Sequence, residues 1–388
     1  MFEIIDKEDP GTVIRVIGAG GAGGNAIDHM IRENVQGVGF VAANTDAQAL
    51  KRSKAEVKLQ LGKTGRGAGA KPDVGRTAAI EAREEIAQAI KGAHMVFITA
   101  GMGGGTGTGA APVIAEIARE MGILTVAVVT KPFDFEGTRR KVAEAGIAEL
   151  QKNVDSLIVI LNEKLMEVLE DDVSLDDAFK AADSVLRNAV GGIAEIITCP
   201  GLINVDFEDV RTVMGEMGMA MMGSATASGV DRARVAAEQA VASPLLEGIN
   251  LLGAKGVLVN ITASRALRLK EVYDVMGTVR EFAAEDAHII HGAVYDESMG
   301  DDIRVTVVAT GLGQQVKRQP LEVIRATPIQ ATGTDGGFGA AGPAGVDYSQ
   351  LDSVPAVVRK GRTQQVEALA NSGVDRYDIP AFLRKQAD

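Results

Sequence analysis

The run Gly103-Gly104-Gly105-Thr106-Gly107-Thr108-Gly109 constrains this chain more than any other stretch. Before it stands Met95-Val96-Phe97-Ile98-Thr99-Ala100, apolar and rich in β-branched residues, which reads as a buried strand. After it, Ala110-Ala111-Pro112-Val113-Ile114-Ala115-Glu116-Ile117-Ala118 reads as a helix with proline in its first turn, where a missing N–H costs nothing. The seven residues are therefore expected as a turn between a strand end and a helix start. Five glycines remove every Cβ that would hold an anion off the backbone, and they permit positive φ. Bare N–H groups and the positive end of the helix dipole make a phosphate cradle, with hydroxyl donors from Thr106 and Thr108. A flexible linker has no reason to lie between a buried strand and a capped helix.

A second unit of this kind comes earlier. The strand Val13–Ile17 runs into Gly18-Ala19-Gly20-Gly21-Ala22-Gly23-Gly24-Asn25, followed by a helix over Ala26–Arg32. Gly18, Gly20 and Gly23 fit the dinucleotide fingerprint, with Asp46 near the distance of a ribose-binding carboxylate, so a dinucleotide-dependent oxidoreductase is one reading. Two glycine turns in one domain and the lack of an evident hydride-transfer centre speak against it. Gly62-Lys63-Thr64 is not a Walker loop, because Val57 stands where its first glycine belongs. Further strands are expected at Gly39–Ala43, before Asn44-Thr45-Asp46, at Ile123–Thr130, and at Ser156–Leu161, before Asn162-Glu163. Apolar strands alternating with helices mean an α/β fold whose parallel sheet is covered on both faces. Ligands of such sheets sit at the carboxyl ends of the strands, where the glycine turns, Asn44, Glu136 and Asn162 all fall. The glycine-rich stretch Gly62–Pro72 is either a mobile surface loop or a third loop on the phosphate side.

Ser174-Leu175-Asp176-Asp177 opens a long helix in the manner of a capping box, and the helix ends at Cys199-Pro200-Gly201. Leu175, Phe179, Ala182, Leu186, Val190, Ile193 and Ile197 form its apolar stripe. Phe179 and Asp183 lie one turn apart on one face. Phe179 can stack on a base while Asp183 accepts the N1–H and 2-amino hydrogens of guanine, which adenine does not offer together; otherwise Phe179 is core and Asp183 solvated. Asn25 and Asn162 are the next candidates for reading guanine. Asp206, Glu208 and Asp209 read as the solvated first turn of a helix over 208–222. Residues 225–316 form a second unit, with helices at Arg232–Val241 and Lys270–Ala284 and strands at Gly256–Ile261, His288–Val294 and Ile303–Thr310. His288 and His291 fall on opposite faces of a strand, so no metal site is expected there.

The glycine signature, with Ala100-Gly101-Met102 before it and Ala110-Ala111-Pro112 after it, resembles the tubulin/FtsZ superfamily, and within it the FtsZ branch of bacterial cell-division GTPases. The resemblance runs over residues 12–316 and returns at the C-terminal end. It implies a parallel-sheet GTP-binding domain (12–174), a central helix (175–198), a smaller α/β domain (199–316) and a peptide at 377–388 that binds membrane-tethering and regulatory partners. It implies GTP or GDP with Mg2+, the nucleotide held by Gly20, Gly21, Ala22, Gly23, Gly24, Asn25, Asn44, Gly69, Ala70, Gly101, Gly103, Gly104, Gly105, Thr106, Gly107, Thr108, Gly109, Pro132, Glu136, Arg140, Asn162, Phe179 and Asp183. Gly69 and Ala70 would lie near the γ-phosphate, Glu136 at the ribose and Arg140 on the phosphate side. It names Asn204, Asp206 and Asp209 as the catalytic residues of a loop that enters the next subunit's site and orients the attacking water. The protein it implies polymerises head-to-tail with itself into filaments of the midcell division ring.

Bulk properties agree. A net charge of −12, from 40 basic and 52 acidic residues, argues against a nucleic-acid or anionic-membrane surface. Cys199 is the single cysteine, so no disulfide framework exists and a reducing cytoplasm fits. Residues 1–11 are expected to be flexible and carry no signal-peptide core, and no stretch approaches the ~20 apolar residues of a membrane helix. Periodicity vanishes over 317–376, which is expected as a disordered linker. A nucleotide-binding scaffold that polymerises without turnover is a third reading, and the intact Asn204, Asp206 and Asp209 speak against it.

Overall fold

The valine- and isoleucine-rich runs become strands of one sheet. The computed structural model describes residues 11–166, 173–199, 201, 203, 205–215, 218–243, 254–284 and 287–312, all in the unit that ends at Arg318. The first half runs β1 (Ile14–Ala19), α1 (Gly20–Arg32), β2 (Val38–Asn44), α2 (Ala47–Arg52), β3 (Val57–Gln60), α3 (Pro72–Glu81), α4 (Arg83–Ile90), β4 (Met95–Gly101), α5 (Thr106–Glu120), β5 (Leu124–Lys131), α6 (Thr138–Leu150), β6 (Ser156–Leu161) and α7 (Asn162–Leu165). The second half runs α8 (Leu175–Thr198), α9 (Phe207–Met214), β7 (Gly218–Ala227), α10 (Arg232–Val241), β8 (Gly256–Ala263), α11 (Leu269–Phe282), β9 (His288–Tyr295) and β10 (Ile303–Leu312).

The strand order is β3-β2-β1-β4-β5-β6-β7-β10-β8-β9. From β3 to β6 every pairing is parallel. Alternate residues of β4 serve opposite cores: Met95 and Phe97 pack with Ile27 and Met30 of α1 and Leu186 and Val190 of α8, while Val96, Ile98 and Ala100 pack with Ala79 of α3 and Ile114 of α5. A third core, between α10, α11 and strands β7, β8 and β10, is built largely of alanine and valine.

Three expectations change. The helix after the first glycine turn begins at Gly20, not Ala26. A Cβ on Gly23 would stand 2.5 Å from the Thr99 carbonyl oxygen, so glycine there lets the helix lie against β4. Likewise α5 begins at Thr106, so four of the seven signature residues are helical and Pro112 lies inside the helix, in its second turn. A Cβ on Gly109 would meet the Pro72 carbonyl oxygen at 2.0 Å, so the packing of α3 on α5 overrides the poor helix propensity of glycine. The helix expected over 208–222 stops at Met214, and 218–227 is a strand. Methionine and alanine there suit a helix, but β6 and β10 offer edges on both sides, and pairing wins. The sheet runs on into the second unit, because Ser156–Ile158 of β6 pair with Gly218–Ala220 of β7. The stripe on α8 holds at Ala182, Leu186, Val190 and Ile193, but Phe179 stays 43% exposed.

Arg232 fastens the second half. Its guanidinium pairs with both carboxylate oxygens of Glu271 at 2.7 and 3.1 Å and donates to the Asp301 carbonyl at 2.6 Å, with both side chains nearly buried. Arg232→Ala would leave the Glu271 carboxylate desolvated and short of its partner, lowering unfolding free energy by ~3–5 kcal/mol in urea titration. Arg234→Ala, which loses an exposed pair with Glu238, should cost at most ~0.5 kcal/mol in the same assay.

Candidate functional site

The N-termini of α1 and α5, at the two glycine turns, face the carboxyl ends of the strands without being neutralised, and α6 likewise starts without a side-chain cap or a first-turn acid. α1 follows Ala19 and α5 follows Gly105; neither has a side-chain cap or an acid in its first turn. α2, α8 and α9 are capped by Asp46, Ser174 and Asp206. The first N–H groups of α1 and α5 are therefore unspent, and the dipoles add positive potential. The two turns touch, since a Cβ on Gly20 (φ 76°) would sit 2.8 Å from the Gly107 nitrogen. Gly21, Ala22 and Asn25 are exposed at the mouth, and Gly24 is partly covered. Gly101 packs on Ala22, where a Cβ would come within 2.6 Å of the alanine Cβ. Gly21 and Gly104 face open space, with nothing within 4 Å of a Cβ. The arrangement is a candidate anion site built from backbone.

The loop over 62–71 closes on it. A Cβ on Gly105 would meet the Ala68 Cβ and the Lys71 nitrogen, each at 2.8 Å, and the Ala70 nitrogen at 3.2 Å. Ala70 holds φ 58° without being glycine, a strained conformation of the kind that gathers at binding sites. Gly69 beside it also has positive φ. Thr106 Oγ1 lies 2.6 Å from Thr45 Oγ1. Thr108 differs from the expectation: its hydroxyl is buried and accepts from the Gly103 N–H at 2.8 Å, so it folds the turn and is not free at the surface. Asn44 is likewise buried, accepting from the Asp46 N–H. Asp46 Oδ1 accepts from Gln48 and Ala49 N–H groups, capping α2, which takes that oxygen away from a ribose role.

Beyond the phosphate side lie the aromatic residues. Pro132 is buried, and Phe133 behind it stacks on Phe135 at 5.3 Å and meets Phe179 edge-on at 5.6 Å. Glu136 Oε1 accepts from the Phe133 N–H, and its Oε2 pairs with Arg139 at 2.9 Å. Arg140 is exposed and paired with Asp134 and Glu144. Gly103 approaches α6 here, since a Cβ would be 2.8 Å from the Arg139 carbonyl oxygen. Asn162 is buried, and its Oδ1 has no hydrogen-bond partner among the described residues. The alternative in which Phe179 is core and Asp183 solvated does not hold: Phe179 is half-exposed, and burial pushes the Asp183 carboxyl up to about 6, although the Arg32 charge opposes that. Thr45, Phe133 and Phe135 carry no periodic signal that marks them; proximity alone brings them in.

The acidic residues lie elsewhere. Asp206 Oδ1 accepts from the Asp209 N–H at 2.8 Å, and both residues are exposed. The next residue, Phe207, packs on His94, which immediately precedes β4. They therefore lie at the amino ends of the strands, opposite the glycine turns. Asn204 falls outside the described residues. Among the described residues no group of three His, Cys, Asp or Glu side chains is placed to hold a metal, His288 and His291 included.

The Asp183 environment has a measurable sign. Its folded-state pKa of about 6 exceeds the ordinary 3.8, so the folded chain binds the proton more tightly than the unfolded one. Stability from this group is complete below pH 3.8 and is lost as pH rises toward 6. Asp183→Asn removes that loss, so the variant should gain stability relative to the parent between those values and keep the gain above them. Urea titrations at pH 4 and pH 7 check it.

Two family models match in order along the chain: the GTPase domain of the tubulin/FtsZ family over residues 13–170, and the C-terminal domain of the FtsZ family over 218–313. The chain is 54% identical over 401 residues to the cell division protein FtsZ of Pseudomonas aeruginosa, covering all of both chains. It is 54% identical to that of Coxiella burnetii over 396 residues, covering 99% of each. A solved FtsZ dimer from M. jannaschii superposes with a TM-score of 0.75 at 47% identity, covering 77% of this chain and 88% of that one. CetZ2 from Haloferax volcanii, at 19% identity and a TM-score of 0.66 over 79% of this chain and 94% of its own, shares the fold. A matched GTPase domain, a matched C-terminal domain and full-length relatives more than half identical leave one conclusion: the chain belongs to the FtsZ family of tubulin-like cell-division GTPases.

Proposed function

We propose that the chain binds GTP across the two glycine turns and hydrolyses it within head-to-tail filaments, each subunit's acidic loop completing its neighbour's site. The observation that carries this is the placement of Asp206 and Asp209 at the amino ends of the strands, with the anion site at the carboxyl ends. α8 spans 24 residues between the two regions, about 36 Å, so a subunit's own carboxylates stay far from its own phosphates. A head-to-tail contact brings the two ends together, and such a heterologous interface extends without closing. Self-association of a relative points the same way, since the M. jannaschii FtsZ is a dimer in its solved structure.

In this reading the N–H groups opening α1 and α5 bind the phosphates, and the loop through Gly69 and Ala70 covers the γ-phosphate. Phe179 stacks on guanine. Asp183, Asn25 and the unpartnered Oδ1 of Asn162 read its edge, while Glu136 and Arg140 flank the ribose and phosphate side. Asn204, Asp206 and Asp209 orient the attacking water. Mg2+ fits as an ion carried by phosphate oxygens, since no three-residue acidic cluster exists among the described residues and Mg2+ needs one or two protein oxygens. Asp46 and Thr106, which line the cavity beside the α1 turn, would hold it, and when bound it offsets phosphate charge. The filaments would form the midcell division ring in the cytoplasm; no helix among the described residues is long and apolar enough to cross a membrane. Residues 377–388, outside the described residues like the linker over 317–376, would dock membrane-tethering and regulatory partners.

Gly104→Ala places a methyl in open space within the anion site. It should leave thermal stability unchanged and weaken GTP binding at least about tenfold, or ~1.4 kcal/mol, by calorimetry. Unchanged affinity would remove the cradle assignment. Gly105→Ser is a poorer probe, because its Cβ also displaces residues 68–71.

The shared site makes a separate prediction. Phosphate release per subunit should be near zero when dilute and rise steeply above a threshold concentration. Asp209→Ala should bind GTP normally and hydrolyse it slowly at full stability. Asp206→Ala should in addition lose ~1 kcal/mol, since it gives up a helix cap. Mixing Gly104→Ala with Asp209→Ala should restore turnover where the first stacks its acidic loop on the second. No gain in a copolymer confirmed by sedimentation would overturn the mechanism.

A further inference from the structure

α1 and α8 lie side by side and run in the same direction. His29 Nε2 is 3.2 Å from Ser184 Oγ, and a Cβ on Gly191 would approach the Val35 side chain at 3.8 Å. The pairing of 29 with 184 and of 35 with 191 puts Asn25 level with the turn of α8 between Phe179 and Asp183. The apolar contacts between these helices, Ile27 and Met30 against Leu186 and Val190, set their separation but tolerate sliding. A directional bond across them does not. On the side of this pair lies a polar cleft of about 730 Å³, lined by His29, Ser184, Arg187 and Glu195 among others, where Glu195 of α8 pairs with Arg304 of β10 at 3.5 Å.

The chemistry of the contact is definite. Ser184 donates its hydroxyl hydrogen to the Lys180 carbonyl at 2.9 Å, so its oxygen must accept from His29 Nε2–H. Asp183, the next residue along, has a desolvated carboxylate with no hydrogen bond among the described residues to orient it. We propose that His29 and Ser184 are positioning residues for base selection: their hydrogen bond fixes the register of α8 against α1 and so holds Asp183 within one turn of the level of Asn25, at the guanine edge. The inference rests on the reading of Asp183 as the residue that recognises guanine. The phosphates are held by the starts of α1 and α5, so loss of the bond should act on the choice of base and spare the phosphates.

The test measures GDP and ADP affinity by calorimetry on full-length, nucleotide-free protein, which avoids turnover and assembly. Ser184→Ala and His29→Ala should each weaken GDP about fivefold, the worth of one hydrogen bond, and leave ADP unchanged. Ser184→Thr and His29→Gln, which keep a hydroxyl and a side-chain N–H, should recover the preference. Equal losses for GDP and ADP, accompanied by a lower melting temperature, would show a merely structural contact and overturn the proposal. So would an unchanged preference in both alanine variants while Asp183→Ala abolishes it. If Asp183→Ala keeps the preference, the guanine assignment itself fails and the positioning role falls with it.

Discussion

The architecture depends on how closely two glycine turns approach. Gly20 and Gly107 touch through bare backbone, and any Cβ at Gly23, Gly107 or Gly109 would collide with a carbonyl oxygen of β1, β4 or α3. This brings the N-termini of α1 and α5 to one point with their N–H groups unspent. Side chains cap α2, α8 and α9, while α6 and α10 start with neither a side-chain cap nor a first-turn acid. The unneutralised ends are a cost to the free chain that an anion offsets.

The same trade appears in the proposed base pocket. Asn162 buries an acceptor without a partner among the described residues, Asp183 holds a desolvated carboxyl, and Phe179 leaves a face to solvent beside the buried Ala182 and Leu186. Each is unfavourable for a chain that needs only to fold. Together they sit within one region at the carboxyl ends of the strands, where a bound base would supply the missing donors and cover the ring.

α8 links this region to the rest. Its buried face joins the first core, its early turns carry Phe179 and Asp183, and its end leads to the acidic loop on the opposite side of the sheet. The continuous sheet through β6 and β7 ties the second half to the same frame, and the Arg232–Glu271 pair fastens α10 to α11 within it. A displacement along α8 would therefore be felt at both ends.

Much of this was legible in residue order. Strand-turn-helix punctuation marked both glycine turns, continuous apolar runs marked a parallel sheet, and the Ser174 cap marked where α8 begins, because these are local signals of period, propensity and capping. The tertiary structure decided what local signals do not encode. Glycine has no side chain to show periodicity, so the true starts of α1 and α5 emerged only from their packing on β4 and α3. The stretch 218–227 is helix-compatible by composition and became a strand because two sheet edges stood ready for it. The inward turn of Thr108, the capping duty of Asp46, and the pairing of His29 with Ser184 across 155 residues are likewise matters of proximity. Sequence sets which residues can do the chemistry; burial and distance set which of them are free to do it.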